Sequence, residues 1–235
     1  MKEMFLLFFP LILLGSMKAD ISYAQKRFDN SIVNFGVKAG LNALSSTSYE
    51  VYSGDVLLDN NSQTNKYGYL FNVFARINLD RFFMQPEIEW SHYRQELNFA
   101  LPLSLEENTY GHKQTLEVGE NSVILYALTG YHIVRNGPYV INCYIGGAIR
   151  ANYKTEYEFK NRFSHTEYNN RRYNYEGIIG SSLNIGIIHF NIRYHFNFPN
   201  TNIKMSDIDN VGDSYQDISF KKNENILSFS CGVMF

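Results

Sequence analysis

No apolar run in this 235-residue chain approaches 18 residues, so the sequence offers no helix able to cross a bilayer. Cysteine is scarce as well. Cys143 and Cys231 are the two present, too few for a disulfide scaffold. Five prolines and one tryptophan leave little to break or anchor long regular segments. A formal net charge of −2 supplies no basic excess, which argues against a nucleic-acid partner and against a polybasic segment for a membrane surface. No cofactor-binding motif is legible. The most suggestive histidines, His189 and His195, lie six apart on a strand-like stretch, roughly 20 Å at about 3.3 Å per residue, too far for one metal ion.

What is abundant is aromatic: 18 Tyr and 18 Phe. With few prolines this suits a β-rich chain. The clearest stretch is Ile187 to Phe198, IIHFNIRYHFNF. Ile188, Phe190, Ile192, Tyr194, Phe196 and Phe198 alternate with His189, Asn191, Arg193, His195 and Asn197. A period of two marks a strand with one apolar and one polar face. Soluble strands usually run about five or six residues, whereas a tilted strand of about nine to eleven crosses a bilayer. The stretch therefore predicts a transmembrane strand with Arg193 in the lumen and Phe190 in lipid.

The N-terminus predicts export. Lys2 precedes the short apolar run Phe5 to Leu14, and small residues at Ser22 and Ala24 fit cleavage before Gln25. About ten apolar residues are too few for an uncleaved anchor, which would have to span roughly 30 Å. The expected organisation is a signal peptide over 1–24, a periplasmic lead-in over 25–32 and one barrel domain over 33–235.

Seven further strands follow from alternation. They are Val33–Leu44, Tyr67–Asn78, Arg81 to about Asn98, one within Thr115–Val134, Tyr139–Ala151, about Asn174–Asn184, and Glu224–Phe235. Strand four has an ambiguous period. Two-residue turns at Leu79-Asp80 and Ile185-Gly186 would pair Asn78 with Arg81 and Asn184 with Ile187. The first register sets Asn72 opposite Glu87, turns Gln85, Glu87, Glu89 and Ser91 inward, and turns Pro86 outward as a candidate bulge. The second sets Glu176 opposite His195, Gly177 opposite Tyr194, Ser181 opposite Phe190 and Arg193 opposite Ile178. Arg135-Asn136-Gly137-Pro138 is a third turn. Aperiodic polar stretches at 45–66, 99–114, 152–173 and 199–223 read as four long loops. Connections alternating long and short predict an all-β, eight-stranded, antiparallel up-and-down transmembrane barrel with short periplasmic turns, placed in the outer membrane.

The chain resembles the small outer-membrane β-barrel proteins of the Bacteroidetes, the porin-family or PorT-like group. FGVKAGLNAL at 35–44, RFFMQPEIEW at 81–90 and ILSFSCGVMF at 226–235 carry the resemblance. Gly119-Glu120-Asn121 departs from the proline-led apolar run common in strand four of that group. The resemblance implies a last strand, ending in Phe235, that is handed to the barrel-assembly machinery. It also implies a link to protein secretion or envelope assembly. It supplies no catalytic motif.

Inward charges Lys38, Arg76, Glu87, Glu89, Arg150 and Arg193 could line an ion path. An eight-stranded barrel, however, is only wide enough for its own side chains, and buried charges must find partners. The expectation is a filled lumen with Arg193 meeting Glu87 or Glu89, not an open porin. A lipid-modifying enzyme would need a rim His or Ser. His132 with Thr129, and His92 with Ser91, are the nominees, and neither pair has a readable third group. No catalytic, cofactor-binding or metal residue is therefore assigned. Cys143 and Cys231, on non-adjacent strands, are expected as free membrane-facing thiols. Expected partners are outer-membrane lipid, the assembly machinery, and proteins at the loops or periplasmic rim, where residues 152–173 mix Tyr with both charge signs. A lipocalin-like soluble barrel, the remaining alternative, would turn its apolar set inward.

Overall fold

The computed structural model describes residues 32–53, 56–57, 62–65, 67–102, 110–136, 139–159, 173–198, 201–206 and 217–235. Residues 1–31, including the expected signal peptide and most of the lead-in, lie outside the described residues. So do 103–109, 160–172 and 207–216, within three of the expected loops.

Eight strands form the wall: β1 (Val33–Ser53), β2 (Gly68–Leu79), β3 (Phe82–Pro102), β4 (Tyr110–Asn136), β5 (Tyr139–Phe159), β6 (Tyr173–Ile185), β7 (Ile188–Asn197) and β8 (Asp217–Met234). Each pairs antiparallel with the next, and β8 returns to β1, so the sheet is a closed up-and-down barrel. Three short strands, Val56–Leu57, Ser62–Asn65 and Thr201–Ser206, pair with the distal parts of β1, β3 and β8.

The register fixes the girth. Opposite residues Val33, Ile77, Met84, Thr129, Ile145, Ile179, Tyr194 and Leu227 form one circuit that returns to β1 at Ala43, ten residues beyond its start. That stagger tilts the strands and leaves an interior that side chains can fill. Alternation then sorts the residues. Phe35, Phe71, Ile88, Leu125, Ile145, Ile179 and Phe190 are exposed on the outer face, while Lys38, Arg76, Glu87, Arg150 and Arg193 are buried on the inner one. Inside-out polarity excludes the lipocalin reading, which needs an apolar interior.

The turns sit one residue later than the sequence reading placed them. Asp80-Arg81 joins β2 to β3 and Gly186-Ile187 joins β6 to β7, so Leu79 pairs with Phe82 and Ile185 with Ile188. The physical reason is backbone sign. Asp80 (φ 57°) and Gly186 (φ 58°) take the left-handed conformation at the first turn position, not the second. Moving a two-residue turn by one shifts every pair by two. Asn72 therefore faces Glu89, Glu176 faces Asn197, Gly177 faces Phe196, Ser181 faces Ile192, and Arg193 faces Gly180 instead of Ile178. A slip of two preserves the faces, which is why every inward and outward assignment survives it. Pro86 does face outward, but the β2–β3 and β3–β4 registers run past it without a bulge. At the third turn Asn136 pairs with Tyr139, and the two residues between lie outside the described ones.

Nearly all of the described residues within the expected long loops are strand. The β3–β4 ladder continues through Asn98↔Thr115 to Pro102↔Tyr110, β4–β5 reaches Leu116↔Phe159, and β8 pairs with β1 out to Ser53↔Ile218. The sequences of these extensions, such as Phe99-Ala100-Leu101-Pro102 and Tyr110 to Gln114, do not alternate apolar with polar residues. A hydrogen-bonded ladder can continue without that alternation, so the sequence pattern ended before the strands did.

Candidate functional site: the filled lumen

Four cations (Lys38, Arg76, Arg150, Arg193) and four carboxylates (Glu87, Glu89, Glu120, Glu176) are buried on the inner wall among the described residues. Equal numbers matter because each unpaired buried charge would cost several kcal/mol, on the order of the whole stability of a domain.

Glu87 on β3 is the hub. Arg193 on β7 donates from Nη2 to both of its carboxylate oxygens at 2.8 Å, and Lys38 on β1 donates from Nζ at 3.0 and 3.1 Å. Asn72 and Gln85 also donate to it, at 2.8 and 2.5 Å. Glu89, two residues on and therefore on the same face, accepts from Tyr126 Oη at 2.9 Å and lies 3.8 Å from Arg193 Nη1. The Arg193 guanidinium stacks over the Tyr126 ring at 4.4 Å and faces Tyr144 at 5.6 Å. These contacts span the barrel, from β7 across to β3, as the counter-charge argument for Arg193 required.

A second cluster lies on β5 to β8. Glu176 accepts from Arg150 Nε and lies 2.8 Å from His195 Nδ1. The expected His195–Glu176 contact thus forms on a diagonal, since the two are not opposite in the register. His195 Nε2 lies 3.2 Å from Ser228 Oγ, which bonds Asn42, which bonds Ser91. A third cluster joins Glu120 to Tyr93 and Asn152. Arg76, nearer the short turns, donates from Nε to Gln85 Oε1 at 2.6 Å and stacks over Phe83 at 4.4 Å.

Glu120 was missing from the inward charges read off the sequence, whereas Glu176 was placed inward opposite His195. Glu120 was hidden because β4 turns Ile124, Tyr126 and Leu128 inward as well. With Phe83, Tyr144, Ala148 and Ile178 they make an apolar patch inside a polar lumen. Such a strand is apolar on both faces, and its period disappears.

The enzyme nominees separate. His132 is buried against Asn142 (Nδ1 to Oδ1, 2.5 Å), while Thr129 faces outward. Ser91 points inward, and His92 sits on the outer face beneath Tyr69, bonded to Asn121 at 2.9 Å. Both cysteines are free and exposed, on β5 and β8, which do not touch.

The outer wall carries an aromatic row toward the long hairpins. Trp90 Nε1 donates to Tyr153 Oη at 2.6 Å, and Tyr69 packs on Trp90 at 5.4 Å. Just beyond it Lys154 and Glu156 pair at 2.5 Å, which holds the Glu156 carboxyl below and the Lys154 ammonium above their usual ranges. Toward the short turns a second row holds Phe35, Phe82, Tyr139 and Phe235, with Phe82 edge-on to Tyr131 at 5.2 Å.

No family model matches the sequence, and neither does any curated protein. Among solved structures the chain is similar to the outer membrane protein OprG from Pseudomonas aeruginosa, at 11% identity and a TM-score of 0.57, covering 86% of this chain and 95% of that one. It is also similar to the outer membrane protease OmpT from Escherichia coli (8% identity, TM-score 0.46, covering 86% and 96%) and to Neisserial surface protein A (12%, 0.37, 86% and 97%). The last two likenesses are too loose to carry an argument. The first concerns the fold alone: a closed, eight-stranded, antiparallel barrel.

Proposed function

We propose that this chain is a non-enzymatic β-barrel of the outer membrane, a scaffold or interaction protein of the envelope whose lumen is a plug. Outer-membrane lipid covers the outer wall between the two aromatic rows. On β3 those rows, at Phe82 and Trp90, lie eight residues apart. That is about 20 Å once strand tilt is allowed for, close to the roughly 25 Å apolar band of such barrels. The observation that carries the plug is the Lys38–Glu87–Arg193 bridge across the lumen, with every member buried. An ion moving past would have to break a desolvated ion pair.

On this reading function resides at the ends. The hairpin extensions present Tyr and both charge signs to protein partners, and the PorT-like resemblance favours a role in secretion or envelope assembly. The strand ending in Phe235, which exchanges backbone hydrogen bonds with Phe35 at 2.7 and 3.0 Å, is the segment offered to the assembly machinery. Export through a cleaved signal peptide over 1–24 completes the proposal. Planar-bilayer recording tests the plug: baseline conductance is expected, and steady nanosiemens openings would overturn it. Heat-modifiable gel migration after detergent extraction tests the membrane barrel, and loss of lipid A modification in a deletion strain would overturn the non-enzymatic reading.

A further inference from the structure

The short-turn half of the lumen holds two histidines in one arrangement. Nδ1 of His132 on β4 lies 2.5 Å from Asn142 Oδ1, and Nδ1 of His189 on β7 lies 2.5 Å from Asn184 Oδ1. Asn142 donates its own Nδ2 to Ser182 Oγ at 3.0 Å, which leaves its oxygen for the ring. An amide oxygen can only accept, so each neutral ring carries its hydrogen on Nδ1 and keeps Nε2 as a bare acceptor. Both Nε2 atoms are buried without a hydrogen-bond partner. Arg76 shares this layer. It stacks over Phe83, which faces the His132 ring at 5.1 Å, while Phe74 faces the His189 ring at 5.2 Å. Nη1 and Nη2 of Arg76 are buried without a partner too.

A proton added at Nε2 would give each ring a positive charge and a donor that faces no acceptor. Lys38 on β1, Arg76 on β2 and Arg193 on β7 act on His189, against the carboxylate of Glu87 on β3. Its neighbours in the register, Asn184 and Gly232, carry no charge. Arg76 and Arg135 act on His132, against the carboxylate of Asp80 in the β2–β3 turn. Arg81 accepts the His132 amide at its carbonyl and turns its guanidinium to Tyr131 Oη, and Asn142, opposite on β5, is neutral. Neither carboxylate bonds a ring nitrogen, and Glu87 already receives Lys38, Arg193, Asn72 and Gln85. His195, in the other half, is built differently, with Glu176 at 2.8 Å from its Nδ1.

We propose that this layer is an acid-sensitive seal at the short-turn end of the plug. While both rings are neutral, the His132–Asn142 and His189–Asn184 clasps close that end around Arg76. When the rings take protons, the layer gains two positive charges that no carboxylate bonds, and it opens to water from the rim. The Lys38–Glu87–Arg193 bridge contains no histidine and stays shut. The seal rests on the plug reading above and adds a condition to it: one of the two closures depends on pH.

The test is amide hydrogen exchange by mass spectrometry on the intact protein in detergent, at about pH 7.5 and about pH 5.5, both above the range where ordinary glutamates protonate. The reference is H132N/H189N, in which Asn keeps a donor near the Nδ1 position and cannot titrate; comparison at each pH cancels the chemical exchange rate. A histidine exposed to water titrates near about 6.5, so a ring that takes its proton only in the open state shifts the closed-to-open ratio about tenfold between the two. The seal is therefore intact above that value and lost as the pH falls through it. Relative to the variant, wild type is expected to lose about a hundredfold in protection at the short-turn ends of β4 and β7, with β3 around Glu87 unchanged. If the double variant fails to fold, H132N and H189N singly should each recover about tenfold. R76Q, lacking the cation common to both rings, should lose less than wild type. Equal loss in wild type and the histidine variants, or an undiminished loss in R76Q, would overturn the proposal. Planar-bilayer recording at about pH 7.5 separates the two failures: steady openings there overturn the plug reading, whereas baseline conductance with equal acid loss refutes the seal alone.

Discussion

The two walls of this barrel are made by the same residues of chain, one face each, yet they are built on opposite rules. The outer wall is tolerant. Its Phe, Ile, Leu, Val and Tyr need only be apolar on the proposed membrane reading, where interchange among them would leave lipid contact intact. The inner wall is specific. Four cations and four carboxylates are buried within it, and at its centre one carboxylate, Glu87, serves Lys38, Arg193, Asn72 and Gln85 together. Where one wall depends on a property, the other depends on identities.

That contrast can be broken by substitution. Glu87→Ala should have the largest effect, because it strands Lys38 and Arg193 together. Removing one partner of a buried pair costs about 3–5 kcal/mol. Urea titration of the folded band on cold gels is the readout, and a loss below about 1 kcal/mol would deny the hub its role. Ile145→Arg, on the outer wall near mid-height, should cost about 2–4 kcal/mol in lipid by the depth rule for such barrels. The same substitution should cost far less in a detergent whose headgroups can reach the site.

A subtler test asks whether the inner wall is truly coupled. Arg193→Gln and Glu87→Gln combined should cost less than the sum of the singles, with a coupling of about 1–3 kcal/mol in a double-mutant cycle. Additivity would mean that the two groups do not bridge the lumen. Gly186→Ala belongs to neither wall. Its φ of 58° predicts a loss of about 1–2 kcal/mol, where replacing an exposed residue elsewhere on the rim would be neutral. Smallest of all, C143V and C231V should change stability by less than about 0.5 kcal/mol, both thiols being exposed on the tolerant wall. Mass mapping under non-reducing conditions should find both unlinked.

The same contrast explains what was legible beforehand. Strands such as β7 announce themselves because their two faces differ, and Arg193 could be matched to Glu87 or Glu89 because a buried guanidinium needs a carboxylate and the residue opposite it on β6 was Ile178 or, as it proved, Gly180. The face of each residue was recoverable; its exact opposite was not. A register slip of two leaves the alternation untouched, and only the backbone sign at Asp80 and Gly186 distinguishes the two pairings. β4 was the least legible strand because Ile124 and Leu128 make its inner face apolar too. The hairpin extensions were illegible because stretches such as 99–102 and 110–114 show no apolar alternation, although the backbone ladder runs on through them.

The seam between β1 and β8 has a consequence in time. Every other junction in the barrel joins neighbours in sequence, and three of the turns need two residues. The seam instead pairs Gly36 with Met234 and Leu41 with Phe229, contacts separated by nearly the whole barrel. Loop closure over that distance is entropically expensive before any pairing compensates for it, and such contacts slow folding. The hairpins can therefore form early and the seam last. Until it closes, β1 and β8 are two open edges on one molecule, each a template for some other strand. A chain halted at that stage would be joined to its neighbours instead of to itself, so the rate of closing this one seam decides between a barrel and an aggregate.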